Sequence, residues 1–434
     1  MRRLLTLSLI VALAMSACGS GEEETVPTPD VDTVVATPGE LRVAAGAGAV
    51  PAPSPADVVA VAGVVNQLGF DLLAGTTDDT VVSPLSIYTA LAMLRAGADA
   101  ETGAQLDAVL RRGQIDEAAW HAAVGALRQT IATPPSDDVP AIEEGNAFEI
   151  ALADSAWLQR DFAVREDFLA VLANAYDAGL FVTDFAADPQ GAVEEVNAWV
   201  ADATRGRIPQ LFDQLDPATV LALVDAITFT ASWETAFEDA ATSDQSFTLP
   251  DGSTAAVPMM AATRSVEHTR MGATDVVRLP YVGGDAAMLL FVPPPGGLPA
   301  LETALDAAML AEVHGNLAPT RVDLWLPRFE HRTRMNLKPA LEALGIVDAF
   351  TADADLSRIA GAPGDLFVGQ AVHEAWIDVR EAGTEAAAAT GLAIELTAAP
   401  DAPLTVHADR PFLYLLVEET SGTVLFVGRV TDPR

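Results

Sequence analysis

Between Thr384 and Thr397 the chain alternates with a period of two. Thr384, Ala386, Ala388, Thr390, Leu392, Ile394 and Leu396 fall on one side, and Glu385, Ala387, Ala389, Gly391, Ala393, Glu395 and Thr397 on the other. The first side is small or apolar throughout and both carboxylates lie opposite, as in a strand buried on one face. The alanines nevertheless favour helix over strand. Pattern and propensity disagree, so the segment reads as a conditional strand, with an Ala-rich helical turn or a solvated loop as the alternative.

Helical periodicity begins at Val58 and runs to Leu73. A second helix is capped by Ser83-Pro84 and continues to Ala96. Further helical patterns cover 101–111, 116–132, 161–178 and 189–203. The second half turns strand-like at Val220–Thr230, Val276–Leu279, Ala286–Val292, Val322–Pro327, Leu366–Val368 and Ala375–Val379. Phe412–Glu418 and Thr423–Val430 follow, with Glu419-Thr-Ser-Gly422 between them as a hairpin signal. Helices early and strands late predict an α+β fold rather than alternating βαβ units. No internal repeat or boundary appears after residue 57, so one domain over 57–434 is the simplest account.

Composition narrows the function. The 434 residues are 50% hydrophobic, enough for a sizeable core. The 24 basic and 61 acidic residues leave a net charge of −37, which excludes nucleic acid as a default partner. At the N-terminus Met1-Arg2-Arg3 precedes an apolar run from Leu4 to Ala14, then Ser16-Ala17-Cys18. That run is too short to span a bilayer and suits a signal peptide. Cys18 is the one cysteine of the chain, so no disulfide framework exists. Its position resembles a bacterial lipoprotein signal: residues 1–17 would be removed and Cys18 would carry lipid. Residues 18–56, rich in Gly, Pro, Glu and Thr, read as a flexible tether.

Catalytic chemistry is weakly signalled. No Gly-x-Ser-x-Gly elbow and no paired-histidine zinc motif is present, and the six histidines lack metal-ligand spacing. No cofactor or metal is expected. Ser83, His373 and Asp225 are the one nomination for a dispersed triad.

From residue 57 to 434 the chain resembles the serpins. The matching segments, in the family's order, are Ser83-Pro-Leu-Ser-Ile87 with Leu91-Ala-Met-Leu94, Asn197-Ala-Trp-Val200, Thr204-Arg-Gly-Arg-Ile208 and Leu223–Trp233 with Phe237. Leu279-Pro-Tyr281, Met288–Pro293, Leu326-Pro-Arg-Phe329 and Leu344-Gly-Ile346 come next. Ala349-Phe350, Ala354-Asp-Leu-Ser357, Arg410-Pro-Phe412 and Phe426-Val-Gly-Arg-Val430 complete the set. The resemblance implies eight or nine helices around three β-sheets with an exposed reactive-centre loop.

It also implies a mechanism. Serpins are suicide substrates: a serine or cysteine protease attacks the loop, and the cut loop inserts into the central sheet with the enzyme attached. Thr384 to Thr397, extended, would span roughly 45 Å. Glu381, Gly383, Thr384, Glu385, Ala386, Ala387, Ala388, Ala389 and Thr390 resemble the hinge of inhibitory members: Thr384 and Ala386 to Ala389 are small and uncharged, and no proline occurs between Glu381 and Ala399. The family's spacing places the scissile bond at Thr397-Ala398, with Leu396-Thr397 and Ala398-Ala399 as alternatives. Such residues suit elastase-, subtilisin- or chymotrypsin-like targets.

The resemblance assigns a sheet-opening region as well. His373 matches the histidine beneath the opening point, with Ser83 and Ser86 nearby, and Asp225 stands where the family usually has asparagine. An acid beside an imidazole makes opening a candidate for pH dependence. Trp233 matches the tryptophan where the loop enters, although Ala231 replaces the usual glycine. Arg328 and Glu381 match an ion pair that holds the hinge shut. The implied protein is a monomeric protease inhibitor rather than an enzyme. It would be exported and held by lipid on Cys18 at a bacterial cell surface or outer membrane, or secreted. A non-inhibitory binding or structural module on the same scaffold is the alternative.

Overall fold

The computed structural model describes residues 33–42, 51–132, 149–384 and 402–434. Among these residues nine α-helices and two short 3-10 helices surround three sheets. The expected α+β architecture is present. The central sheet has seven strands, in the order Phe329–Asn336, Val368–Arg380, Gly383–Thr384, Leu221–Ser232, Glu149–Gln159, Leu180–Thr183 and Gly39–Leu41. A nine-stranded sheet contains the C-terminal hairpin Phe412–Glu418 and Val424–Val430, and a two-stranded ribbon pairs Thr33–Val35 with Ala163–Arg165.

Helix Pro84–Gly97 lies between the two large sheets. Ser83 caps it by accepting a hydrogen bond from the Ser86 amide, and Pro84 sits in the first turn, where no amide donor is needed. All 14 of its residues are buried. A helix with no exposed face belongs in a core, and this one packs against Glu149–Gln159 and Leu221–Ser232 on one side and Val424–Val430 on the other. The opposite face of the central sheet is covered by helix Pro189–Ala203, whose Val193, Val196 and Val200 meet Ala222, Val224, Ala226 and Val372. Leu221–Ser232 is therefore buried on both faces and is mostly apolar, with Asp225 its one charged residue.

Several sequence expectations change. Residues 33–41, within the expected tether, form two strands. Gly39–Leu41 pairs antiparallel with Leu180–Val182 at the edge of the central sheet, and Ala36 is fully buried between bonds to Phe162 and Asp161. So short a segment gains its order by adding to an existing edge, which composition does not signal. Gly179 makes room for it, because a Cβ there would lie 2.5 Å from the Glu40 carboxylate. The pattern at 161–178 resolves into strand Ala163–Arg165 followed by helix Glu166–Tyr176. Of the expected strand Leu366–Val368 only Val368 is in a strand, Val368–Arg380, which also takes in Ala375–Val379, and Glu149–Gln159, Thr254–Met271 and Phe329–Asn336 are further strands.

Cys18, the segment 1–17 and most of the expected tether lie outside the described residues. So do Glu385, Ala386, Ala387, Ala388, Ala389, Thr390, Leu396, Thr397, Ala398 and Ala399.

Candidate functional site

The site is a seam in the central sheet. Leu221–Ser232 and Val368–Arg380 run parallel as direct neighbours from Leu221 and Val368 up to Thr228 and Trp376. Above that level they part. Gly383 and Thr384 occupy the gap, antiparallel to both: Gly383 pairs with Arg380 and Ser232, and Thr384 with Val379 and Ala231. Two residues of a potential extra strand are thus already lodged where the parallel pair ends.

Close packing holds them there. Gly383 has φ +155, and a Cβ on it would lie 2.1 Å from the Ala231 carbonyl oxygen, so only glycine fits. Thr384 is fully buried, its hydroxyl 2.8 Å from the Tyr281 hydroxyl. Burial keeps that phenol protonated far above its ordinary range. The Tyr281 ring stacks on Trp233 at 4.5 Å. The Trp233 indole donates to the Arg380 carbonyl at 3.0 Å, and its amide donates to Ala382. Trp233 thus lies against Arg380, Ala382 and Tyr281 beside the lodged pair, and Tyr281 is a contact that sequence reasoning missed.

Below this lodgement Arg328 grips Glu381. The guanidinium Nε donates to both carboxylate oxygens at 2.6 and 2.8 Å, and the Thr242 hydroxyl donates to the same carboxylate. Burial raises the Glu381 pKa, but these donors outweigh it and leave the group below its usual value.

A second group of residues lies deeper in the seam. His373 Nδ1 meets Asp225 Oδ1 at 2.6 Å, both fully buried and directly paired across the parallel strands. The Ser83 amide donates to His373 Nε2 at 3.2 Å. An amide can only donate, so Nε2 carries a lone pair and Nδ1–H donates to Asp225. Ser83 Oγ is occupied as the helix cap and is fully buried, which removes it from any nucleophilic role. The Ser86 hydroxyl donates instead to Asp154 Oδ1 at 2.7 Å. Asp154 sits opposite Asp225 on the neighbouring strand. Burial first, and then the charge of Asp225, lift its pKa to about 7. Sequence reading missed Asp154 because its strand went unrecognised.

The family comparison agrees with this geometry. The serpin (serine protease inhibitor) family model matches residues 64–433. The chain belongs to the serpin family. An uncharacterized serpin-like protein of Thermococcus kodakarensis is 31% identical to it over 379 residues, covering 86% of each chain. A serine protease inhibitor of Cyanea capillata is 31% identical over 385 residues, covering 86% of this chain and 98% of its own. The crystal structure of a thermophilic serpin, tengpin, in the native state superposes with a TM-score of 0.77 at 26% identity, covering 92% of this chain and 97% of the other. The seven-stranded sheet and the helices around it are thus those of a serpin fold.

Proposed function

We propose that this serpin is an irreversible suicide-substrate inhibitor of serine proteases, acting after cleavage near Thr397-Ala398 by inserting residues 384–397 into the central sheet. The observation that carries the reading is the pair Gly383-Thr384, seated between Leu221–Ser232 and Val368–Arg380 with antiparallel pairing to both.

Extending that register downward gives each loop residue a level. Ala386 falls between Ile377 and Phe229, Ala388 between Ala375 and Ile227, and Thr390 between His373 and Asp225. Both flanking strands assign Thr390 the same level, because His373 and Asp225 are themselves paired. Entry therefore parts the His373–Asp225 contact. The alternate residues Ala389, Gly391 and Ala393 fall on the face covered by helix Pro189–Ala203, beside Ala226, Val224 and Ala222. Small side chains are what that covered face can admit.

A protease held as an acyl-enzyme on Thr397 would be carried roughly 45 Å along the sheet. Displacement of its catalytic groups by even about 1 Å can cost about a hundredfold in rate, so hydrolysis of the acyl bond stalls. The aliphatic and small residues around the scissile bond favour elastase-, subtilisin- or chymotrypsin-like partners. Export and lipid attachment at Cys18 would place the inhibitor at a cell surface. The test is incubation with elastase- and subtilisin-like proteases followed by a denaturing gel. A band of summed mass that survives denaturant is expected; simple loop cleavage with full protease activity remaining would refute the reading.

A further inference from the structure

Five elements send groups into the space under the seam. His373 comes from Val368–Arg380, Asp225 from Leu221–Ser232 and Asp154 from Glu149–Gln159. Helix Pro84–Gly97 adds the Ser86 hydroxyl, and helix Glu117–Ala132 adds Arg128. The Asp154 and Asp225 side chains are each about 1% exposed and face each other across adjacent strands. Each has one oxygen satisfied, Asp154 by Ser86 and Asp225 by His373, while Oδ2 of each has no hydrogen-bond partner among the described residues. His373 brings no positive charge while Ser83 donates to its Nε2. Among the described residues the cation against the pair is Arg128, whose Nε stands 3.8 Å from Asp154 Oδ2 and which is partly engaged by the Tyr176 carbonyl.

We propose that Asp154 and Asp225 hold one proton between them in the closed sheet, and that losing it loosens the seam and speeds entry of the loop. The pair would act as a pH-operated brake. Two facing carboxylates with a single cation, beside Asp154 alone, cannot both stay ionised in a closed interior without strong repulsion. One proton relieves it and lets both strands pack. Once that proton leaves, the repulsion is eased by movement of Leu221–Ser232 away from its neighbours, which admits water to the freed oxygens. Asp225 is bonded across the line that must part, so the strain falls on the seam itself. The elevated Asp154 value, caused by burial and by Asp225, fits a group that stays protonated while the sheet is shut.

The inference rests on the insertion reading above, and one experiment separates the two. The full chain is mixed with a synthetic peptide copying residues 384–397, and its annealing into the uncleaved protein is timed by native gel and intrinsic fluorescence between pH 5.5 and 8.5. Annealing is expected to quicken by about tenfold across that range, the size of one unit of pKa displacement. Asp154→Asn, which mimics the protonated acid, should anneal at the slow acidic rate at every pH. Asp225→Asn, which takes away the repelling partner, should flatten the profile in the same way. A flat wild-type profile, or an unchanged profile in Asp154→Asn, overturns the brake while leaving insertion intact. Failure to anneal at any pH overturns both. Near-ultraviolet circular dichroism of each variant confirms that the fold is retained.

Discussion

Arg328 Nε lies within 2.8 Å of both oxygens of Glu381, two residues before the chain enters the central sheet at Gly383. The clasp anchors the chain just ahead of the lodged pair to Arg328 and Thr242, which belong to other parts of the fold. Glu381→Gln keeps the shape and removes the charge. It should cost about 1–2 kcal/mol, below the penalty of a fully buried broken pair because Arg328 is partly solvent-exposed. The uncleaved protein should then convert to an inactive, loop-inserted form faster than wild type, measured as loss of inhibitory activity at 37 °C. An unchanged half-life would show that the pair does not restrain the hinge.

Proline at position 386 removes an amide that the inserted strand needs. Ala386→Pro should leave the native fold intact, since the residue lies beyond the lodged pair. A target protease should cleave the variant without being trapped. After cleavage its melting temperature should stay near the native value, whereas cleaved wild type should melt far higher.

Gly383→Val tests the lodgement directly. The added side chain collides with the Ala231 carbonyl at a backbone angle that valine avoids. The hinge should leave the gap, freeing the Thr384 hydroxyl from Tyr281 and exposing the stacked Trp233–Tyr281 pair. A red shift of tryptophan emission without loss of secondary structure is the expected reading.

Acid should weaken the fold through two buried histidines. Burial lowers the pKa of His121 and of His331 to about 4, with each ring hydrogen-bonded to a buried tyrosine, Tyr176 and Tyr414. Each imidazole binds its proton less tightly folded than unfolded. Their stabilisation is complete above about pH 6.5 and is lost as pH falls through about 4, amounting to about 3 kcal/mol for each. Asp154 works in the opposite sense: its contribution is present below about pH 4 and is lost as pH rises through about 7. Melting temperatures of wild type and of His121→Gln, compared from pH 7.5 to 4.5, check the first effect, because the variant should lose less on acidification.

Removing everything before Val43 should lower the melting temperature of the uncleaved protein by roughly 2–4 °C. The truncation strips the edge strand Gly39–Leu41, the buried Ala36 and the Arg42–Asp177 ion pair at 2.8 Å. An unaltered melting curve would mean that this added strand contributes nothing to the body.

What the sequence revealed followed the strength of its local signals. Helix Pro84–Gly97 carries its own cap and first-turn proline, and the C-terminal hairpin its turn residues, so both were legible. Arg328, Glu381, Trp233 and His373 were legible only through family resemblance, since no spacing joins residues that meet by sheet topology. Strand Glu149–Gln159 escaped because Ala151, Ala153, Ser155 and Ala156 blur its alternation, and a buried Asp154 contradicts it. Its order comes from pairing with Leu221–Ser232, a long-range relation that no window can contain. The tether failed in the opposite direction: Thr33–Leu41 looks too polar to fold alone, and it folds by borrowing an edge.

The parallel neighbours Leu221–Ser232 and Val368–Arg380 share one row of cross-strand hydrogen bonds, with the first rung of an antiparallel guest above them. A complete guest strand would replace that single row by two, each in the stronger antiparallel geometry. On the proposed insertion, folding would halt short of the richest pairing its own chain can offer, and the conformation would persist by the height of a barrier rather than the depth of a well. Heating the uncleaved protein should accordingly report a rate, with an apparent transition that climbs as the scan is made faster.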